Sequence, residues 1–187
     1  MLELAAVPDL LAKLLASPRD VVLIALLVAA AVIDWRTYKI PNWLTVGGMV
    51  FGLLYNASAD AVMPGFWLAL AGLGAGLVVL LPLYALRVMG AGDVKLMAAV
   101  GAFVGWPSVL YAVLFTFIAG GIAAVAIAIR RGALIRMVAN VGSLVRFVSF
   151  PAGERPALVA GGSIGRMPYG LSICVGTIAW MVVRQLG

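Results

Sequence analysis

Long apolar runs separated by brief polar punctuation make up most of this chain. Read by length, the runs predict six membrane-crossing helices at residues 21–33, 43–55, 66–86, 94–106, 108–129 and 167–183. A bilayer core asks for about 20 apolar residues per helix. The third and fifth runs meet that length directly, whereas the first, second and fourth must borrow from their flanks. Pro41-Asn42 opens the second run, and proline suits a first helical turn because its missing N–H is not needed there. Residues 56–65, with Asn56, Asp60 and Pro64, predict a turn. Pro82 predicts a kink near the end of the third run, Trp106-Pro107 ends the fourth, and Gly120-Gly121 marks a thin spot in the fifth. The expected fold class is all-α, a polytopic membrane helix bundle.

Two stretches follow a different pattern. In residues 133–150, Leu134, Met137, Val138, Val141, Leu144, Val145 and Val148 recur at helical spacing, with Arg136, Asn140 and Ser143 opposite. That predicts an amphipathic helix on the membrane surface, its arginines near anionic head groups. The alternative, an extra span, would bury Arg136 or Arg146. Residues 1–20 mix Glu3, Asp9, Lys13, Arg19 and Asp20 with leucines, and Leu10, Leu11, Leu14 and Leu15 share a helical face. A short interfacial helix fits this stretch better than a removable signal peptide, which would start basic and end at small residues.

Composition supports a membrane location. Of 187 residues 65% are hydrophobic and 11% charged, and mean hydropathy is +1.16. A soluble domain would be about half apolar and about a quarter charged. Nothing resembles a long linker, so residues 1–187 read as one integral membrane domain with 131–166 as its basic connection. The net charge of +6 does not point to nucleic acid, because the basic residues sit between apolar runs. They also orient the chain: Arg36, Lys39, Arg87, Lys95, Arg130, Arg131, Arg136, Arg146, Arg155 and Arg166 fall on one side of a six-span topology. Only Lys13, Arg19 and Arg184 fall on the other. Basic loops stay cytoplasmic, so both chain ends are expected outside the cytoplasm. Asp34, at the end of the first span, and Asp93, at the start of the fourth, then share the cytoplasmic face.

Glycines four apart recur on consecutive spans: Gly48 and Gly52, Gly72 and Gly76, Gly101 and Gly105. Such pairs let helices approach where hydrophobicity offers no net drive, so a compact bundle is expected.

The two acids carry the candidate chemistry. An ionisable residue beside hydrocarbon is expensive and invites a functional explanation. The chain has no histidine and one cysteine, Cys174. Ser-His and Cys-His mechanisms are therefore unavailable, as are histidine or multi-cysteine metal sites. Cys174 itself lies in an apolar run and reads as a small buried hydrophobe. Two carboxyls a few Å apart cannot both stay ionised, so they share one proton. The ionised member takes a proton from water while the protonated one donates to a carbonyl oxygen, which is the chemistry of peptide hydrolysis. Gly90 and Gly92 would allow positive φ and leave room for an extended substrate. The bland reading makes Asp93 the N-cap of the fourth helix in an ordinary surface turn.

Asp34 followed by Arg36, Lys39 and Ile40-Pro41-Asn42, then Gly90-Ala91-Gly92-Asp93-Val94-Lys95, resembles the type IV prepilin peptidase family, Gly-x-Gly-Asp membrane aspartyl proteases. Met167-Pro168-Tyr169-Gly170 is similar to that family's third signature. The resemblance implies an enzyme of the inner membrane that cuts the basic leader from prepilins at the cytoplasmic face. Asp34 and Asp93 match the catalytic aspartates; Gly90, Gly92, Pro41, Asn42, Pro168, Tyr169 and Gly170 match the surrounding motifs. It implies prepilin substrates within the lipid bilayer, compatibility with a pilus assembly or secretion complex, and no cofactor for cleavage.

Long members of that family carry a cysteine-zinc domain and methylate the new pilin N-terminus. Here only a short connection joins Asp34 to Pro41, which resembles the short form of tight-adherence (Flp-type) systems and leaves methylation unexpected. Lys95 and Arg36 read as topology determinants and lipid contacts, or as charges that tune an aspartate. Tyr169 could orient a carboxylate, although interfacial tyrosines are common. A small proton- or ion-coupled transporter using the same acids is the alternative function, opposed by their expected place at one face rather than the midplane. The charge asymmetry predicts that a reporter active only outside the cytoplasm works when fused after Asn56 and fails after Arg87 or Arg146. Activity after Arg87 would separate the two acids.

Overall fold

The computed structural model describes residues 17–59, 63–86, 88–135, 137–139, 142 and 168–186. The expected interfacial helix near Leu10 to Leu15 lies outside the described residues, as does most of the basic connection with its amphipathic helix. Among the described residues the regular structure is helical, without strands. Six long helices succeed one another: α1 Pro18–Thr37, α2 Asn42–Ala59, α3 Met63–Ala85, α4 Ala91–Val104, α5 Ser108–Arg130 and α6 Tyr169–Leu186. Each coincides with one predicted apolar run.

Three of them are long and apolar enough to cross a membrane: Gly65–Ala85 within α3, Ser108–Arg130 and Tyr169–Leu186. Two of the others, α1 and α4, fall short for visible reasons. α1 carries Arg19, Asp20, Asp34 and Arg36 within its 20 residues. α4 has 14 residues, or ~21 Å at the rise of an α-helix, against ~30 Å of bilayer hydrocarbon.

The chain forms two compact units, one from residues 1–120 with 168–187 and one from 121–167. The centre of the first is α4, which packs against α1, α2, α3 and α6. Leu96, Met97, Ala98, Ala99, Val100, Ala102 and Phe103 are wholly inaccessible. A helix apolar all round is a buried helix, and its small residues let neighbours close in on every side. Outward faces of the bundle are apolar too, as at Val28, Val32, Val46, Val50, Leu54, Val78 and Leu114. Such continuous exposed apolar surface suits hydrocarbon and not water. Exposed Trp35, Tyr38, Trp43 and Tyr84 lie where α1 and α3 end and α2 begins, while Trp67, Trp106 and Tyr111 lie where α3 and α5 begin and α4 ends. Aromatic girdles of this kind suit the two membrane–water interfaces.

The glycine pairs do what their spacing predicts. A Cβ on Gly72 would strike Gly101 O and Gly105 C, the latter at 2.7 Å, and a Cβ on Gly76 would lie 2.6 Å from Met97 O. One on Gly52 would lie 2.9 Å from the Ala102 carbonyl carbon. Backbone therefore meets backbone where α3 and α2 cross α4. Gly105 also has φ +73 as the C-cap of α4, a conformation natural to glycine.

The predicted turn at 56–65 is shorter than expected, because α2 continues to Ala59 and α3 begins at Met63. Asn56 is thus a buried helical residue. Its Nδ2 donates to Gly52 O at 2.9 Å, Ala102 O at 2.9 Å and Phe103 O at 3.1 Å. Two of these carbonyls belong to the last turn of α4, which has no intrahelical donors left for them. In the second unit α5 is closed by Gly132, two residues past its end, whose φ is +60. Ala133 N–H bonds Ala128 O and Gly132 N–H bonds Ile129 O, the pairing of a Schellman cap.

Two glycines two residues apart on α3 should respond oppositely to alanine. Gly72→Ala forces backbone apart and should cost about 1–3 kcal/mol. Gly74 has nothing within 4 Å of an added Cβ, so Gly74→Ala should be neutral or gain up to about 1 kcal/mol from helix propensity. Thermal melting in detergent checks the sign of each; equal effects would refute the close α3–α4 crossing.

Candidate functional site

The site is built where α1 ends and α2, α4 and α6 begin. α1 is stopped by Tyr38, a non-glycine residue at φ 52 whose N–H still bonds Asp34 O at 2.8 Å. Thr37 Oγ1 lies 2.8 Å from Ile33 O and 3.0 Å from Lys39 O, holding the reversal. Three residues later Pro41 O accepts from Leu44 and Thr45 N–H groups and starts α2. Pro41 therefore immediately precedes the helix rather than occupying its first turn.

This short reversal brings Ile40 against α4. A Cβ on Gly92 would lie 3.1 Å from Ile40 Cβ and 3.5 Å from Ile40 N. The expectation of positive φ at Gly90 and Gly92 is not met: Gly90 is extended at φ −78, ψ 154, and Gly92 is helical. At both, an added Cβ would be crowded, and glycine leaves that space open. At Gly90 an added Cβ would come within 3.1 Å of Asp93 Oδ2.

Asp93 lies in the first turn of α4 and is only 8% exposed. The N-cap is Gly90, so the reading of Asp93 as the N-cap is corrected. From three residues on, Asp93 Oδ2 reaches back and accepts the Gly90 N–H at 3.1 Å, as an acid does in half of a capping box. That bond engages one carboxyl oxygen.

Asp34 is 5% exposed. Its Oδ2 accepts the Gly170 N–H at 2.8 Å, a bond between residues 136 positions apart. A Cβ on Gly170 would lie 2.9 Å from that oxygen and 3.0 Å from Asp34 Cβ, so glycine is what lets α6 deliver its N–H. Pro168 precedes α6 and accepts from Leu171 N–H at 3.3 Å. Asp34 and Asp93 lie within electrostatic reach of one another, and Tyr169, partly buried, is in reach of Asp93. The structure thus gathers Asp34, Asp93, Gly90, Gly92, Tyr169 and Gly170 at one locus.

The basic residues stand aside. Lys95 Nζ donates to Asn42 Oδ1 at 3.0 Å, tying the first turns of α4 and α2 together. Among the described residues it pairs with neither acid. Arg36 is exposed in the last turn of α1, where a cation suits the negative end of the helix dipole. Ile40 and Tyr38 shape the site without having been singled out from the sequence. Ile40 stood in the quoted motif, whereas no local signal marks Tyr38 for left-handed backbone.

Chemically, two buried carboxyls in mutual reach favour sharing one proton, since two uncompensated negative charges would repel in a poorly solvated place. Each also keeps a backbone N–H that stabilises negative charge on one of its oxygens. Among the described residues no group of three His, Cys, Asp or Glu side chains could hold a metal ion.

The family model described as the type IV leader peptidase family matches residues 21–125. A prepilin leader peptidase/N-methyltransferase of Klebsiella pneumoniae is 38% identical over 92 residues, covering 46% of this chain and 40% of that protein. One of Pectobacterium carotovorum subsp. carotovorum is 34% identical over 106 residues, covering 53% and 37%. One of Dickeya chrysanthemi is 38% identical over 129 residues, covering 63% and 45%. The chain spans less than half the length of these curated relatives. No solved structure matches it.

Proposed function

The chain belongs to the type IV leader peptidase family, and from that premise we propose that it is a membrane-embedded aspartyl endopeptidase. Its substrates are type IV (Flp-like) prepilins, whose basic leader it removes at the cytoplasmic face of the bacterial inner membrane. The observation that carries this reading is that Asp34 and Asp93 lie within electrostatic reach of one another, both buried and each held by a backbone N–H. The matched family region contains both residues.

The reaction follows from the shared proton. Water attacks the scissile carbonyl carbon, giving its proton to the ionised carboxylate while the protonated partner donates to the carbonyl oxygen. The resulting diol collapses as the protonated carboxyl gives its proton to the departing amine and the ionised one takes a proton from a diol hydroxyl; the C–N bond breaks and the pair again shares one proton. The N–H groups of Gly90 and Gly170 hold the two side chains in place through this exchange. A site at the level where helices begin and end meets a substrate that crosses from cytoplasm into membrane.

The basic loops support a multi-pass topology of six spans with both termini outside the cytoplasm. In this reading residues 1–187 act as one membrane peptidase domain, with 131–166 as a cytoplasmic connection. The product is not methylated. Asp34 is joined to Pro41 by a few residues, and the sequence has one cysteine, so a cysteine-zinc element has no place in that connection.

Asp34→Asn and Asp93→Asn should each lower prepilin cleavage by at least on the order of 10²-fold, the scale of a lost general acid or base. The double variant should lose little more, because groups acting as a unit are strongly non-additive. Folding should be retained, since an amide removes repulsion between the acids. Purified enzyme with a synthetic prepilin checks this; an active single variant, or two moderate losses that multiply, refutes the dyad. The second test is mass spectrometry of pilin processed by this protein with a methyl donor present. An added methyl mass on the new N-terminus would overturn the claim of cleavage alone.

A further inference from the structure

At the far end of α1 from the site lies a second buried acid. Asp20 is 4% exposed. Its Oδ2 pairs with Arg184 Nη2 at 3.5 Å and its Oδ1 with Arg19 Nε at 3.4 Å. The Arg184 guanidinium also lies 5.1 Å from the centre of the buried Trp180 ring. A carboxylate buried this far needs its partners, yet nothing in the peptidase chemistry uses it.

Its position explains it. α1 and α6 pack against each other, and two polar contacts join them. Asp20 meets Arg184 at the start of α1 and the end of α6; Asp34 meets the Gly170 N–H at the end of α1 and the start of α6. The helices are therefore antiparallel. Asp20 and Asp34 are fourteen residues apart, and so are Gly170 and Arg184. Fourteen residues are close to four turns, or ~21 Å, so both contacts of each helix fall on nearly one face. The buried residues between these ends are mostly apolar or small: Leu23, Leu27, Ala30 and Ala31 on α1, Ile173, Cys174 and Met181 on α6, with the unpartnered hydroxyl of Thr177 among them. Apolar packing tolerates sliding, and dispersion alone does not select one register. Two charged or hydrogen-bonded contacts at matched spacing do.

We propose that Asp20 and Arg184 are positioning residues whose ion pair sets the register of α6 on α1, so that the Gly170 N–H stays on the Asp34 carboxyl four turns away. A shift of one residue along the helix would move that N–H by ~1.5 Å, enough to break a 2.8 Å hydrogen bond. The consequence for cleavage rests on the peptidase reading above, whereas the register does not.

The chain supplies its own reporter. Counting four residues inward from the site-end contact brings Ala30 opposite Cys174, both buried in one core. In an Ala30→Cys background, copper-phenanthroline oxidation of the folded protein in detergent should join the new thiol to Cys174. Asp20→Asn and Arg184→Gln should each slow that disulfide about tenfold, and together little more, because they remove one shared interaction. Arg184→Lys should stay within about twofold of the parent, since the charge that makes the pair remains. With Ala30 intact, the same two single variants should lower kcat about tenfold with KM within about twofold, as small misplacement of a reacting group does. If Arg184→Gln strands the Asp20 charge and does not fold, Asp20→Asn, which strands none, decides the matter. No disulfide in the parent, or an unchanged rate in the variants, overturns the register assignment. A slowed disulfide with unchanged kcat overturns the positioning role. A parent that forms the disulfide but cleaves no prepilin supports the register and refutes the peptidase.

Discussion

A carboxyl placed in an apolar bundle must be given hydrogen-bond donors by the fold, because a buried polar group left without them is costly. Both acids at the site receive theirs from helix beginnings. Gly170 N–H belongs to the first turn of α6 and Gly90 N–H to the start of α4. These are groups that an α-helix cannot satisfy internally, and they lie at the positive end of its dipole. The close of α1 faces two such beginnings, and the rest of the first unit serves to bring them there.

Close approach is what makes that convergence possible. α4 is short and enclosed, and glycines on α2 and α3 let those helices touch its backbone. Asn56 completes the enclosure by taking the carbonyls that the end of α4 leaves unpaired. The opposite end of α4 is fixed by Ile40 resting on Gly92 and by Lys95 bonding Asn42. Asp93 is thereby held by packing from several elements rather than by a loop, which is the support a precise site requires. Gly170 plays the same part on α6, where even a methyl group would push against Asp34.

Polar groups in this fold are few and fall at helix ends, while the middles of the helices are apolar or small. That division lets the interior pack without unpaired polar atoms at most positions; Thr116 and Thr177, buried hydroxyls without partners, are exceptions among the described residues. It also means that orientation and register are decided at the ends. The Asp20–Arg184 pair and the Asp34–Gly170 bond sit at opposite ends of one helix pair for that reason.

Much of this was legible in the amino-acid sequence. Hydropathy is a local property, so the apolar runs located all six long helices among the described residues. Proline and glycine punctuation located most of their ends, and alternation along the chain placed Asp34 and Asp93 at the same end of the bundle. Four-residue glycine spacing announced the close crossings. What the sequence could not decide was which helix lies beside which. That choice set Ile40 against Gly92, so that Gly92 serves space rather than positive φ. It also turned Asn56 from a turn residue into a cap for α4, and gave Asp20 a partner on the last helix. Each of these depends on a contact between residues distant in the chain, and such contacts arise only when whole helices pack. The acids were written in the sequence; the Gly170 N–H that holds Asp34 was assigned by tertiary structure.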